Sequence, residues 1–214
     1  MKVFLGIDVQ IRRGLSYFCD SESGRYVSSG WLAADRDPTR ICEEIRGSGH
    51  KLAAIGIDAP RFLRRTLREW YWKGKKWKKR TTEKGRGRHC EVVLAAHKAA
   101  NPQWTPLVED APDWMKVGIQ LFDKLDGQAD LFEVFPAASY KLLRKDAGMH
   151  LSLDVSTLAP GPRDMLDASV AALTVREFTA GRGSAVGGGD SLGEIVIPRP
   201  LDDPINEVLT WPST

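Results

Sequence analysis

The sequence predicts an α/β fold in which two strands pair in parallel across a helical connection. Three observations support this prediction. Short apolar segments alternate with longer segments of helical periodicity along most of the chain. The tripeptide Gly-Ile-Asp ends two of the apolar segments, at residues 6–8 and 56–58. A run of Lys, Arg, Trp and Tyr after the fourth predicted strand interrupts the alternation, which indicates an insertion.

The individual elements follow from apolar periodicity and from the residues that bound each segment. Asp37 suits the cap of a helix, and Pro60 and Pro136 each end an apolar strand. The glycine-rich stretch at residues 181–193 is predicted to be a loop. The predicted strands are residues 2–10, 14–22, 24–33, 51–60, 130–136 and 194–198, and the predicted helices are residues 37–49, 90–100, 111–127, 137–148 and 162–181.

Length and composition indicate an ordinary globular protein. The chain has 214 residues, of which 42% are hydrophobic and 28% charged, and we expect one domain over residues 1–200 with a tail over 201–214. The three cysteines form no Cys-x-x-Cys pair, which favours a reducing compartment. The apolar start of the chain is too short for a signal peptide, and no apolar run approaches about 18 residues, so we expect a cytoplasmic protein.

Positive charge is concentrated in residues 61–90, which we call the basic segment. This segment holds 13 Lys or Arg residues and two acids, Glu69 and Glu83, so its net charge is +11. Because the whole chain carries +3, the remainder carries −8. A concentrated patch attracts polyanions more strongly than the same charge spread over the surface.

Acidic residues at strand ends are the strongest candidates for a functional site. Asp8 and Asp58 each end a Gly-Ile-Asp strand, and the helix between the strands supplies the crossover that a parallel pair needs. The two carboxylates are then expected side by side at the carboxyl ends of neighbouring strands, where open α/β sheets place their sites. Because close carboxylates repel each other, we expect a Mg²⁺ or Mn²⁺ ion between them.

Three further acids lie in apolar surroundings. Asp164 and Asp167 are three residues apart near the start of an apolar helix, so they share one face, and Glu133 lies within an apolar strand. A buried carboxylate needs a cation or several hydrogen-bond donors. Simpler roles stay open, because a strand-end Asp can form a turn, Asp164 can cap its helix and Glu133 can accept hydrogen bonds from backbone N–H groups.

Several motifs together resemble a known family. Three strands, a helix and a fourth strand, with Asp on the first and fourth strands, are similar to the RNase H-like fold, and "DMLDASVAAL" resembles the acidic helix of RuvC-type junction resolvases. The family that this chain resembles more closely is domain-of-unknown-function family 429, described as predicted RNase H-like nucleases. The resemblance covers residues 2–198 and is carried by "GID", "IGIDAP", "RHCE", "WMKVGIQLF", "EVFPAASY", "DMLDA" and "GEIVIP".

The resemblance implies a fold and a set of acids. The fold is a mixed five-stranded sheet with helices on both faces and the basic segment inserted after the fourth strand. The family's usual Arg-x-Cys-Asp stands here as "RHCE", with Glu91 in place of Asp. The implied metal-binding and catalytic acids are Asp8, Asp58, Asp164 and Asp167, with Glu133 as a further catalytic acid.

Two-metal chemistry is the mechanism implied by these acids. Two Mg²⁺ ions roughly 4 Å apart activate a water and stabilise the leaving oxygen of a phosphodiester. Asp8 is expected between the ions, with Asp58 and Asp167 each completing one side. We consider His89, His97 or a lysine of the basic segment as the group that orients the water or the phosphate.

The basic segment leaves the fourth strand beside this predicted site. Lys and Arg neutralise phosphates, and Trp and Tyr stack on unpaired bases, so we predict nucleic-acid binding. Two other roles stay open: a solvated loop whose Trp rings pack on the domain, and a peripheral membrane contact. We predict a helix over residues 61–72 and then a loop. The residues predicted to bind nucleic acid are Trp70, Tyr71, Trp72, Lys73, Lys75, Lys76, Trp77, Lys78, Lys79, Arg80, Arg86 and Arg88.

The function predicted from these features is that of a Mg²⁺- or Mn²⁺-dependent nuclease. Two alternatives stay open: a nucleic-acid-binding protein without catalysis, and a nucleotide-dependent phosphotransferase of the actin-like ATPase superfamily. The glycine-rich stretch at residues 181–193 follows a helix instead of opening one, so it is a weak phosphate-binding motif. The sequence does not distinguish DNA from RNA or single-stranded from duplex or branched substrates, and a resolvase-like function predicts a dimer.

Overall fold

The chain folds around a mixed sheet with helices on both faces. A computed structural model describes residues 1–33, 36–79, 87–144, 146 and 162–212. In chain order the elements are β1 (Lys2–Val9), β2 (Leu15–Ser21), β3 (Tyr26–Leu32), α1 (Thr39–Gly47), β4 (Lys51–Asp58), β5 (Trp70–Lys73), β6 (Lys76–Lys79), α2 (His89–Ala96), a 3₁₀ turn (Val108–Asp110), α3 (Asp113–Leu125), β7 (Asp130–Glu133), α4 (Pro136–Leu143), α5 (Pro162–Thr179), β8 (Ser184–Gly187), β9 (Glu194–Ile197) and α6 (Asn206–Leu209).

The main sheet has five strands in the order β3-β2-β1-β4-β7. Strands β1, β2 and β3 are antiparallel neighbours, whereas β4 runs parallel to β1 and β7 runs parallel to β4. The predicted parallel pairing of the two Gly-Ile-Asp strands is therefore confirmed, with α1 in the crossover. The register of this pair places Asp8 directly beside Asp58.

Alternation along β1 directs its side chains to two separate layers. Val3, Leu5 and Ile7 are buried in one core, which α1 and α3 cover with apolar side chains. Phe4 points to the opposite face and packs with Ala171 of α5. Because strand side chains alternate, Gly6 and Asp8 share the α5 face with Phe4.

The two glycines of the repeated tripeptide let α5 approach the sheet closely. A Cβ on Gly6 would overlap the carbonyl oxygen of Ala168, and one on Gly56 would lie 2.8 Å from the carbonyl oxygen of Ala171. The aspartates two residues further along each strand point to the same face, toward the first turns of α5. Each Gly-Ile-Asp tripeptide therefore supplies a glycine against which α5 packs and, two residues later, a carboxylate on the same face of the sheet.

The basic segment differs from its predicted structure. Residues 70–79 form a two-stranded hairpin, β5 and β6, instead of continuing a helix over residues 61–72. Gly74 and Lys75 form its turn, each with a φ of 63°, which is the conformation of a tight two-residue hairpin turn. Consecutive aromatic residues favour a strand over a helix, and the Gly-Lys pair allows the chain to reverse. We call residues 70–79 the basic hairpin.

Smaller differences concern the second half of the chain. The glycine-rich stretch contains β8, which pairs with β9 in a second hairpin. Pro136 begins α4 instead of ending a strand, since proline suits the first turn of a helix. The predicted helix over residues 137–148 ends at Leu143, and residues 145 and 147–148 lie outside the described residues. In the described part of the chain, no helix has the length and apolar character needed to cross a bilayer.

Candidate active site

The carboxyl ends of β1, β4 and β7 open into a cavity of about 620 Å³, which we call the acidic cavity. The five acids predicted from the sequence all line it: Asp8, Asp58, Glu133, Asp164 and Asp167. Arg12 and Arg163 also line it, as do Arg88 and Glu91. The fold therefore brings together acids that are up to 159 positions apart in the sequence.

Asp8 is the most buried of the four aspartates, with 4% of its surface exposed. The side-chain amide of Gln10 donates a hydrogen bond to its Oδ2 atom at 3.3 Å. Burial raises the pKa of Asp8 to about 7 against this hydrogen bond, and the charges of Asp167 and Asp164 add to the rise. Asp8 is therefore costly to ionise in the protein without a bound cation.

Asp58 is subject to the same effects. Burial raises the pKa of Asp58 well above its ordinary range, and the charges of Asp8, Asp167 and Glu133 raise it further. Within the described ranges, neither Asp8 nor Asp58 forms an ion pair with Lys or Arg. The two carboxyl groups therefore hold their protons more tightly than exposed aspartates do, and a bound cation would favour their ionised forms.

Asp164 lies in the first turn of α5. The helix begins at Pro162, so Asp164 is inside the helix and does not cap it. Arg13 forms an ion pair with its Oδ2 atom at 3.1 Å, and the Ser16 hydroxyl donates to its backbone carbonyl at 3.0 Å. These contacts tie the start of α5 to β2 and to the loop that precedes it.

Asp167 lies one turn further along α5. Burial raises the pKa of Asp167, and a hydrogen bond from the Tyr140 hydroxyl and the charge of Arg163 oppose the rise. Tyr140 belongs to "EVFPAASY", and Arg163 directly precedes Asp164. Neither residue was predicted as part of the site, and the sequence signal for each is that it lies next to or within an acidic motif.

Glu133 is engaged by a buried arginine. Arg88 is 1% exposed, and its guanidinium donates hydrogen bonds to both carboxylate oxygens of Glu133. The distance from Nη1 to Oε2 is 2.7 Å. The backbone N–H of Arg61 also donates to Oε2, at 2.8 Å. Burial raises the pKa of Glu133, and the charge of Arg88 opposes the shift. The predicted catalytic role of Glu133 stays a prediction, but its oxygens already have three donors.

Glu91 shares the same arginine. Its Oε1 atom accepts hydrogen bonds from Arg88 Nε and Nη2 at 3.2 and 3.1 Å. Its Oε2 atom accepts the backbone N–H groups of Arg88 and Thr105 at 3.1 and 3.0 Å. Glu91 thus caps α2 and neutralises Arg88. Arg88 is enclosed by these partners, which gives its guanidinium a structural role, and its predicted contact with nucleic acid stays a prediction.

The two candidate histidines have structural roles. His89 Nδ1 accepts the Gly189 N–H at 3.1 Å, so Nε2 carries the proton and donates to the Val208 carbonyl at 2.8 Å. His97 Nε2 accepts the Ile205 N–H at 2.9 Å, and its Nδ1 donates to a carbonyl of its own helix. Since both nitrogens of each ring are used, neither histidine orients water or phosphate in this structure.

One face of the basic hairpin packs on the domain. Trp77 Nε1 donates to the carbonyls of Glu207 and Thr210 at 2.8 and 2.9 Å. The Trp77 ring lies 5.1 Å from that of Trp211 and 5.5 Å from that of Trp72. Trp72 and Trp77 therefore pack on the domain, as in the alternative for these rings, and their predicted contact with nucleic acid stays a prediction.

The opposite face of the basic hairpin carries most of its lysines, whereas Lys79 lies on the anchored face over the Trp70 ring and forms an ion pair with Glu69 at 3.3 Å. Tyr71, Lys73, Lys76 and Lys78 alternate with the anchoring residues along the two strands. Lys73 and Lys76 are exposed and face each other across the strands, and Lys75 is at the turn. Arg80 and Arg86, also predicted to bind nucleic acid, lie outside the described residues.

The fold and the acidic cavity define an α/β protein with clustered carboxylates at the carboxyl edge of its parallel strands. Among the described residues, no three His, Cys, Asp or Glu side chains are already arranged as a metal-binding group. No family model, no curated protein and no solved structure matches this chain.

Proposed function

We propose that this protein is a divalent-metal-dependent nuclease with an RNase H-like fold. The observation that carries the proposal is the pair Asp8 and Asp58, adjacent on parallel strands and without a cationic partner in the described ranges. The antiparallel β1–β2–β3 unit, followed by a helix and a parallel fourth strand, supports the fold assignment.

The side chains of the acidic cavity suit a hard divalent cation. Carboxylate oxygens are the ligands that Mg²⁺ and Mn²⁺ prefer, and the residues proposed to hold the metal are Asp8, Asp58, Asp164 and Asp167. Burial raises the pKa values of Asp8, Asp58 and Asp167, and the charges of the neighbouring carboxylates add to the rise. When bound, the metal would activate a water and stabilise the leaving oxygen of a phosphodiester.

The other residues of the acidic cavity have distinct proposed roles. Arg12 and Arg163 attract a phosphodiester toward the carboxylates. Arg88 holds Glu133 in place, and Glu133 in turn holds the backbone where the basic segment leaves β4. We therefore propose that Glu133 positions this wall of the cavity and is not a metal ligand.

Nucleic acid is the proposed substrate because the segment that leaves β4 at the acidic cavity, just after Pro60, carries the basic hairpin. Its outward face presents Lys73, Lys76 and Lys78 around Tyr71. Like charges directly opposite each other destabilise a strand pair, and phosphates between them remove that repulsion. The hairpin is anchored by Trp77, so the lysines are held in place relative to the domain.

The first test is cleavage of labelled DNA and RNA in single-stranded, duplex, hybrid and branched forms. We expect cleavage in Mn²⁺, none in EDTA, and a loss of at least about 100-fold in Asp8→Asn and Asp58→Asn. The matched control is Asp123→Asn, an exposed aspartate on α3, which should cleave like the wild type.

Two outcomes contradict the proposal. Cleavage that persists in EDTA or in Asp8→Asn would exclude a metal site built on that carboxylate. Tight, salt-sensitive binding without cleavage of any substrate would instead make this a nucleic-acid-binding protein without catalysis.

A further inference from the structure

A second cavity, of about 450 Å³, lies at the root of the basic hairpin. Residues 62–70 line one side, and Asp190, Ser191, Leu192 and Trp211 line the other. Its volume is within the range of roughly 300–1,000 Å³ that small-ligand sites occupy. We call it the aromatic cavity.

Its walls contain three aromatic rings and three arginines, together with two acids, Glu69 and Asp190. Phe62 is 46% exposed, and Trp70 and Trp211 contribute two further rings. Arg65 is exposed at the cavity, beside the more buried Arg64 and Arg68. Flat apolar surfaces next to guanidinium groups suit a ligand that has both an aromatic ring and a negative charge.

The wall opposite residues 62–70 is preformed. Asp190 Oδ2 accepts the His89 N–H at 2.7 Å, and its Oδ1 accepts the Leu192 N–H at 3.2 Å. The ring of Phe62 packs over Gly193, where a Cβ would come within 3.3 Å of it. A site that is already shaped loses little conformational entropy when its ligand binds.

The aromatic cavity adjoins the acidic cavity. Arg88 lines the acidic cavity and donates a hydrogen bond at 3.2 Å to the carbonyl of Leu192, which lines the aromatic cavity. Phe62 follows Asp58 by four positions, so their Cα atoms are at most about 14 Å apart. A strand of nucleic acid in the first cavity therefore reaches the second within a few nucleotides.

We propose that the aromatic cavity binds one unpaired nucleotide of the substrate, with its base against Phe62 and Trp70 and its phosphate near Arg65. The buried indole N–H of Trp70 has no acceptor among the described residues, and every nucleobase carries acceptors. A paired base is enclosed in its duplex and enters such a cavity only by leaving the stack. The inference rests on the proposed function and names its substrate class: single-stranded or locally unpaired nucleic acid.

The test compares the affinities of three labelled ligands in EDTA: a single strand of about 12 nucleotides, an abasic strand of equal length and charge, and the matching duplex. We expect the wild type to bind the base-bearing strand at least about tenfold more tightly than either other ligand. Phe62→Ala should reduce this preference at least about fivefold, and Arg65→Ala should weaken binding of all three ligands. Tyr26→Ala is the matched control, because Tyr26 is 38% exposed on β3, away from both cavities.

Equal affinity for the base-bearing and abasic strands would overturn the inference, and so would an unchanged preference in Phe62→Ala. A thermal unfolding midpoint within about 2 °C of the wild type confirms that the variants are folded. Failure of the inference and failure of the proposed function are distinguishable. If the protein prefers base-bearing strands but does not cleave in Mn²⁺, the nucleotide site is supported and the nuclease function is wrong. If it cleaves in a metal-dependent way but shows no base preference, the nuclease function is supported and the nucleotide site is wrong.

Discussion

At the scale of single residues, Asp8 is a buried carboxylate that affects the stability of the fold and is one of the proposed metal ligands. It lies on a buried strand beside Asp164 and Asp167, and the side chains of Gln10 and Ser16 are its hydrogen-bond partners. A buried charge without a cation destabilises the folded state, because the unfolded chain solvates it fully. The cost of burying this carboxylate is the physical reason for the metal site that we propose.

The pH dependence of stability tests this account of Asp8. Its pKa is about 7 in the folded protein and 3.8 ordinarily, so its contribution to stability is greatest below pH 4 and is lost as the pH rises through 7. In EDTA, we expect Asp8→Asn to become more stable relative to the wild type as the pH rises. The difference in the free energy of unfolding should grow by about 2 kcal/mol from pH 5 to pH 8. Urea unfolding at several pH values measures this difference, and parallel profiles for the two proteins would contradict it.

Metal addition provides the complementary result. At pH 8, Mn²⁺ should raise the unfolding midpoint of the wild type and leave that of Asp8→Asn nearly unchanged, because only the folded wild type offers the complete carboxylate set. Asp123→Asn should respond as the wild type does.

At the scale of elements, α5 and the two central strands form a close-packed unit. Gly6 and Gly56 allow the backbone of α5 to lie against β1 and β4, which places Asp164 and Asp167 over the strand ends. The contact between this helix and the sheet thus determines the geometry of the acidic cavity.

Adding a single methyl group tests that packing. Gly6→Ala should lower the free energy of unfolding by about 3 kcal/mol, since the new Cβ would overlap the backbone of α5. Gly47→Ala is the control, because nothing lies within 4 Å of its Cβ position and alanine favours a helix; it should be neutral or slightly stabilising. Urea titration distinguishes the two, and equal stability of both variants would refute the close approach.

The basic hairpin is the second element for which we propose a function. One face anchors it to the domain through Trp72 and Trp77, and the other face presents Lys73, Lys76 and Lys78. Replacing Lys73, Lys76 and Lys78 by glutamine should weaken nucleic-acid binding and reduce the slope of log affinity against log salt by about 3. A triple variant of Lys51, Lys116 and Lys124 changes the net charge equally and should bind nearly as the wild type does. The same loss in both variants would show an effect of net charge alone.

At the scale of the whole molecule, two hydrophobic cores are connected by residues of the acidic cavity and by a backbone contact. The core between the sheet and helices α1 and α3 contains Cys19 and Cys42, and a second core around α2, β8 and β9 contains Cys90. The Arg88–Glu133 ion pair and a backbone bridge between Val134 and Val196 connect them. We expect the two cores to unfold together, in line with the prediction of one domain over residues 1–200.

Thiol labelling measures this cooperativity. Burial raises the pKa of Cys19 to about 12 and that of Cys42 to about 11, and it raises the pKa of Cys90 as well, so none should react in the native protein at pH 8. In urea, all three cysteines should become labelled at one rate, followed by mass spectrometry. Earlier labelling of Cys90 alone would show that the second core opens independently.

The five strands of the main sheet, most of the helices and the pairing of Asp8 with Asp58 were predicted from the sequence, because apolar periodicity and strand-end residues are local signals. It also identified the acidic motifs that meet in the cavity. The hairpin at residues 70–79 was missed, since aromatic and basic residues carry no clear periodicity. Only the tertiary structure decided which groups are available to a ligand. Arg88, Trp77 and both histidines are occupied by partners distant in sequence, and such partners follow from packing, which no local pattern contains.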